Sequence, residues 1–177
     1  MFYEPKSKKD WYKLLKINHD KSNGVWVILQ KQNENLKDID ILEISLCFGW
    51  IDSLPKKSID ITKKIRLYWP CKKGSGLSKR NKLIIEKLFL YNKMEESGIT
   101  KIKEAINDGS WTKLDDVEKL IIPDDLKKEL IKLNLLSKFE LLCRSTKRMF
   151  LEKLVYSKKE QTRLKRINEI IIFLNNK

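Results

Sequence analysis

The sequence predicts an α+β fold: a small N-terminal β-sheet with two helices, packed against a mostly helical C-terminal half. Three observations predict it. β-branched or alternating apolar runs occur at 25–29 and 65–69 and do not recur after Ser78. From there on, apolar residues fall at three- and four-residue spacing. Gly49 and Gly109 stand where helical patterns stop. The 177 residues are expected to form a single domain, 1–177, with subregions 1–75 mixed α/β and 76–177 helical.

The elements follow in order. Ser7 opens a capping pattern with Asp10 at the third position, and Trp11, Leu14 and Leu15 share one face of a helix that should end near Asn18. Asn23-Gly24 turns the chain into Val25-Trp26-Val27-Ile28-Leu29, a strand expected to be buried on both faces. Residues 31–37 form a polar connection. Asp38 or Asp40 is expected to cap the next helix, which carries Ile41, Leu42, Ser45 and Leu46 toward the core and stops at Gly49. Trp50-Ile51-Asp52 enters a second strand. A third runs from Ile65 to Trp69, with Ile65, Leu67 and Trp69 set against Arg66 and Tyr68, and Pro70 ends it.

Ser78 caps a helix bearing Leu83, Ile84, Leu88 and Met94. Ile99, Ile102 and Ile106 form a stripe closed by Gly109. Pro123 fits a first helical position ahead of Asp124, Asp125, Leu126, Leu130 and Leu133. Phe139 and Leu142 mark a short helix, and Ser145 is expected to start another with Met149, Phe150 and Leu154. Ser157 and Glu160 form a capping box before Leu164, Ile167, Ile171 and Leu174.

Net charge is +14, concentrated in two segments: 56–87 carries +9 and 138–177 carries +7. All six arginines, Arg66, Arg80, Arg144, Arg148, Arg163 and Arg166, lie inside them. A guanidinium fork grips carboxylate or phosphate with two parallel hydrogen bonds, so these residues suit either internal ion pairs or an anionic partner. A small anionic molecule, an acidic protein surface and a nucleic acid all fit that charge. Heavy use of Lys, Ile and Asn also fits an A/T-rich coding sequence, which would spread lysine over solvated faces.

Nothing in the residue types points to a catalytic centre. The one histidine, His19, sits in a polar turn, and Cys47, Cys71 and Cys143 are too scattered for a disulfide framework or a metal knuckle. Mostly buried, reduced thiols are expected, with no metal and no cofactor. The N-terminus lacks a basic then apolar leader and no apolar run is long enough to span a bilayer, so a cytoplasmic location is expected. The segment Gly74-Ser75-Gly76-Leu77-Ser78-Lys79-Arg80 offers glycine amides, a helix start and adjacent cations, without the spacing of a P-loop.

Four distinct segments follow one another in order: Glu43-Ile44-Ser45-Leu46-Cys47-Phe48-Gly49-Trp50-Ile51-Asp52-Ser53; Tyr68-Trp69-Pro70 leading to the glycine loop; Asp108-Gly109-Ser110-Trp111; and Ser157-Lys158-Lys159-Glu160-Gln161-Thr162-Arg163-Leu164-Lys165-Arg166-Ile167. Together the chain resembles the YdeI/OmpD-associated, bacteriocin-protection family over nearly its whole length. Pro70, Ser75, Ser78 and Asn81 match the family's loop pattern, while Cys71 and Leu77 replace an Arg and a Trp. Lys158, Thr162, Arg163, Arg166 and Ile167 match its C-terminal pattern, while Glu160 and Gln161 replace a Pro and a Glu.

The resemblance implies a stress or antimicrobial-protection factor without a defined reaction. With the arginine distribution it nominates Trp50, Asp52, Ser78, Asn81, Arg144, Arg148, Arg163 and Arg166 as ligand-binding residues, with Asp52 accepting from a motif residue such as Arg163 or Ser78. A nucleic-acid-binding module using 56–87 and 138–177, and an enzyme with a site around Asp52, are the alternatives.

Overall fold

Strand β2 (Val25–Gln30) shows why the first part of the chain folds as it does. Val25, Val27 and Leu29 on one face are buried, whereas Trp26 and Ile28 on the other are only partly covered. The expectation of a strand buried on both faces is thereby corrected. The computed structural model describes residues 1–32 and 35–176, so Asn33 and Glu34 of the predicted 31–37 connection lie outside the described residues. Its contacts divide the chain into two units, Met1–Trp111 and Thr112–Lys177.

The first unit contains β1 (Phe2–Tyr3), α1 (Lys8–Asn18), β2, α2 (Asp38–Cys47), β3 (Trp50–Lys56), β4 (Lys63–Pro70), α3 (Lys79–Leu90) and α4 (Glu96–Asn107). The sheet order is β1-β2-β4-β3, with β1 parallel to β2 and the other pairs antiparallel. The two-residue β1 is too short to carry a periodic signal. Helix α2 lies at the centre of the unit, in contact with α1, α3, α4 and β3. Trp11, Leu15, Ile41, Leu42, Leu46, Trp50 and Tyr68 form the core, with the rings of Trp11 and Tyr68 5.9 Å apart.

The pairing of β4 decides which of its two faces is covered. Its register sets Tyr68 beside Val25, so Tyr68 is buried, and Ile65, Leu67 and Trp69 join Trp26 and Ile28 on the less covered face. Alternation separates two faces without saying which one a helix covers.

Ser7 and Ser78 cap as expected, accepting the amides of Asp10 (3.2 Å) and Asn81 (3.3 Å). At α2 the cap is Lys37 rather than Asp38 or Asp40; Asp40 instead sits in the third helical position and accepts the Lys37 amide at 2.8 Å. Gly49 ends the helix at φ 74°. The α3 and α4 stripes rotate slightly: Leu83 and Ile106 are exposed, and Ile85, Ile102 and Ala105 face inward.

The second unit is helical: α5 (Asp115–Glu118), α6 (Asp124–Lys132), α7 (Leu136–Glu140), α8 (Arg144–Val155) and α9 (Glu160–Asn175). Leu126, Leu130, Phe139, Leu151, Leu154, Ile170 and Leu174 fill its core. Several helix starts shift by a residue or more. Pro123 is the cap of α6, Cys143 rather than Ser145 caps α8, and Ser157 donates its hydroxyl back to the Lys153 carbonyl at 2.8 Å instead of capping α9. Leu133, Met149 and Leu164 are exposed, because the buried faces run through their neighbours. No helix among the described residues is long and apolar enough to cross a membrane.

Candidate functional site

Trp50 and Asp52 occupy alternate positions of β3 on its helix-facing side. Trp50 is buried and donates its indole N–H to the His19 carbonyl at 3.1 Å. The Asp52 carboxylate accepts from the guanidinium of Arg66, not from Arg163 or Ser78. The register explains this correction: Asp52 pairs with Tyr68, so Arg66, two residues along β4, lies diagonally beside it on the same face.

The glycine loop already holds an anion, and it is internal. Gly74 donates its amide to the Asp108 carboxylate at 3.0 Å. The Ser110 hydroxyl and amide, joined by the Gly74 amide, hold the Asp108 carboxyl below its usual range. Ser78 spends its hydroxyl on the α3 cap, and Asn81 is buried behind it. Lys82 rests over the Trp111 ring, 5.4 Å from its centroid.

The C-terminal arginines are engaged as well. Arg144 donates to the Glu118 carbonyl at 2.6 Å, and Arg148 pairs with Glu118 at 3.2 Å and Glu152 at 3.1 Å. Arg163 grips Asp125 with Nε and Nη2, the latter at 2.8 Å, and donates Nη1 to the Leu154 carbonyl at 3.0 Å. Arg166 pairs with Glu169 at 2.7 Å, one turn along α9. These hydrogen bonds hold the Asp125 and Glu169 carboxyls below their ordinary range. The four nominated arginines are thus spent on acids of the same unit, Arg144 and Arg148 sharing Glu118, Arg163 on Asp125 and Arg166 on Glu169, instead of turning toward one opening.

Arg80 differs. Among the described residues it has no carboxylate partner, and it lines a cavity of about 710 Å³ with Lys31, Lys37 and Lys64. Among the described residues Asp38 is the acidic group in that lining, and it is already paired with Lys64 at 3.0 Å. The loop motif contains Arg80, but Lys31 and Lys37 come from another segment. Pairing of β2 with β4, which sets Leu29 beside Lys64, and packing of α2 against α3 bring them together, and no local spacing could reveal it.

The thiols correct one expectation. Cys47 is buried, Cys71 partly buried and Cys143 exposed. Burial pushes the Cys47 thiol up to about 11. The hydroxyls of Ser145 and Thr146, 3.2 and 3.1 Å away, pull Cys143 down to about 7. No three His, Cys, Asp or Glu side chains among the described residues come together to hold a metal ion.

Residues 3–101, more than half of the chain, match the family described as a domain of unknown function (DUF8412). The chain belongs to the DUF8412 family. Residues 119–175 match the family described as Bacteriocin-protection, YdeI or OmpD-Associated. The resemblance read from the sequence therefore stands for the C-terminal stretch with Arg144, Arg148, Arg163 and Arg166, while the Trp50-Ile51-Asp52 and glycine-loop motifs fall in the DUF8412 stretch. Each match lies inside one of the two units. No curated protein and no solved structure matches the chain. The Arg80 cavity belongs to the DUF8412 part of the molecule.

Proposed function

We propose that the protein is a non-catalytic protection factor that binds a phosphate- or carboxylate-bearing ligand, and that Arg80, Lys31, Lys37 and Lys64 grip it. One observation carries this reading: Arg80 keeps its guanidinium fork uncommitted among the described residues while lining a cavity with three lysines. A fork beside flexible ammonium groups is the donor set that recognises a multiply charged oxyanion. The protective role rests on the description of the family matched by residues 119–175.

Titration calorimetry with inorganic pyrophosphate tests the grip. Arg80→Lys keeps the charge and removes the fork, so affinity should fall about tenfold, the order expected for losing one charge-assisted hydrogen bond. Arg163→Lys should leave it unchanged, because that fork is spent on Asp125. Equal losses in both variants, or none in either, would overturn the site. Nucleic-acid binding is distinguished by salt: with a single-stranded oligonucleotide, log K should fall against log salt with a slope of about 0.7 for each phosphate neutralised. A slope corresponding to several phosphates, with pyrophosphate unbound, would replace this reading with the nucleic-acid one.

A further inference from the structure

The β3–β4 hairpin ends in Lys57-Ser58-Ile59-Asp60-Ile61-Thr62, and the exposure of this tip is unusual for its composition. Ile59 is fully exposed and Ile61 is 81% exposed. Single exposed apolar residues are ordinary on a protein surface. Two aliphatic residues at one tip, held there by the backbone, are not. The Asp60 carboxylate accepts both the amide (2.9 Å) and the hydroxyl (2.6 Å) of Thr62, and the Lys63 amide donates to the Asp60 carbonyl at 3.1 Å. The Thr62 carbonyl is tied to the Lys31 amide at 2.8 Å. The turn is therefore built to present the isoleucines rather than to fold them back.

Cations surround the tip. Lys56 precedes it and Lys57 begins it, Lys63 and Lys64 follow it, and Lys31 shares with Ile61 and Thr62 the lining of a depression. Lys63 and Lys64 are partly neutralised by Glu4 and Asp38, and the Lys56 ammonium lies over the rings of Phe2 and Trp26. Lys57 has no carboxylate partner among the described residues. Asp60, the acid of the turn, is turned toward Thr62.

We infer that this hairpin docks the protein on a membrane surface containing anionic lipid, with Ile59 and Ile61 entering the headgroup and acyl boundary and the lysines resting against the headgroups. The combination decides the partner. An anionic bilayer uses both components, apolar insertion and a basic collar. A single-stranded nucleic acid would use the lysines and aromatic faces on which bases stack, but it has no use for two aliphatic side chains at the apex.

Co-sedimentation of the full chain with vesicles tests this, using phosphatidylcholine alone and phosphatidylcholine mixed with phosphatidylserine. The chain should bind the mixed vesicles, and more weakly as salt rises. Ile59→Ser/Ile61→Ser should reduce that affinity about tenfold or more, and Lys57→Gln about fivefold, the equivalent of one basic residue at such a surface. Circular dichroism should be unchanged, since these side chains are exposed, and Arg80→Lys should bind vesicles as the parent does, which separates this surface from the anion grip. Full vesicle affinity in the isoleucine variant would overturn the proposal, leaving diffuse charge alone. So would a parent chain that ignores mixed vesicles at low salt, or one whose Lys57→Gln variant loses oligonucleotide binding while vesicle binding stays intact.

Discussion

Gly98 of α4 lies so close to the backbone of Cys47 that a Cβ placed on it would stand 2.1 Å from the Cys47 carbonyl oxygen. The same carbonyl accepts the Glu95 amide at 3.0 Å, so the start of α4 is fastened to the end of α2. Gly98→Ala should therefore force the two helices apart and cost about 1–3 kcal/mol, as overpacking generally does. Thermal melts should show a loss of several degrees. An unchanged melting temperature would mean that the close approach is not maintained in solution.

Ser45 joins α2 to α1 through Trp11. Its hydroxyl donates to the Ile41 carbonyl at 2.7 Å and accepts the Trp11 indole N–H at 3.1 Å, all in the buried core. Ser45→Ala leaves the indole with only its longer bond to the Ile41 carbonyl, 3.3 Å. The expected cost is about 1–2 kcal/mol, the penalty for an incompletely satisfied buried donor. Denaturant unfolding should show a lower midpoint with an unchanged slope.

The pairing of Arg163 with Asp125 should make the second unit acid-sensitive. The Asp125 carboxyl is held below its unfolded value of about 3.9. The pair therefore stabilises above that pH, and its contribution is lost as pH falls through the lower folded value. Asp125 is 43% exposed, so solvent screens the pair and Asp125→Asn should cost about 1 kcal/mol at neutral pH. Melting temperatures of parent and variant should differ by a few degrees at pH 7 and converge toward pH 2, where the parent aspartate is also neutral. A gap that persists unchanged into acid would show that charge is not its source.

Cys143 should be the thiol that reacts in the folded protein. Alkylation by iodoacetamide, followed by mass spectrometry, should rise with pH around a midpoint near 7 at Cys143, while Cys47, buried and pushed up to about 11, should react only after unfolding. Replacing the hydroxyls with Ser145→Ala and Thr146→Val should move the Cys143 midpoint upward. A midpoint that stays near 7 in the double variant would assign the shift to the start of α8 instead.

What the sequence determined by itself was local. Ser7 and Ser78 cap their helices, and Gly49 and Gly109 stop theirs at φ 74° and 75°, because these choices depend on a side chain reaching three residues ahead or on a backbone that lacks a Cβ. The α+β class followed from the same short-range periodicities. Tertiary structure decided whatever required two distant segments to meet. The register of β4 against β2 buried Tyr68 and left Leu67 half-buried on the other face, a choice that alternation leaves open, since period two is the same for either side. The fate of the arginines was equally non-local: Arg66 found Asp52 across the sheet, Arg163 found Asp125 across 38 residues, and Arg80 was left facing Lys31, Lys37 and Lys64. A guanidinium suits a carboxylate of the same chain as well as a ligand's oxyanion, and only the folded arrangement decides which one it meets.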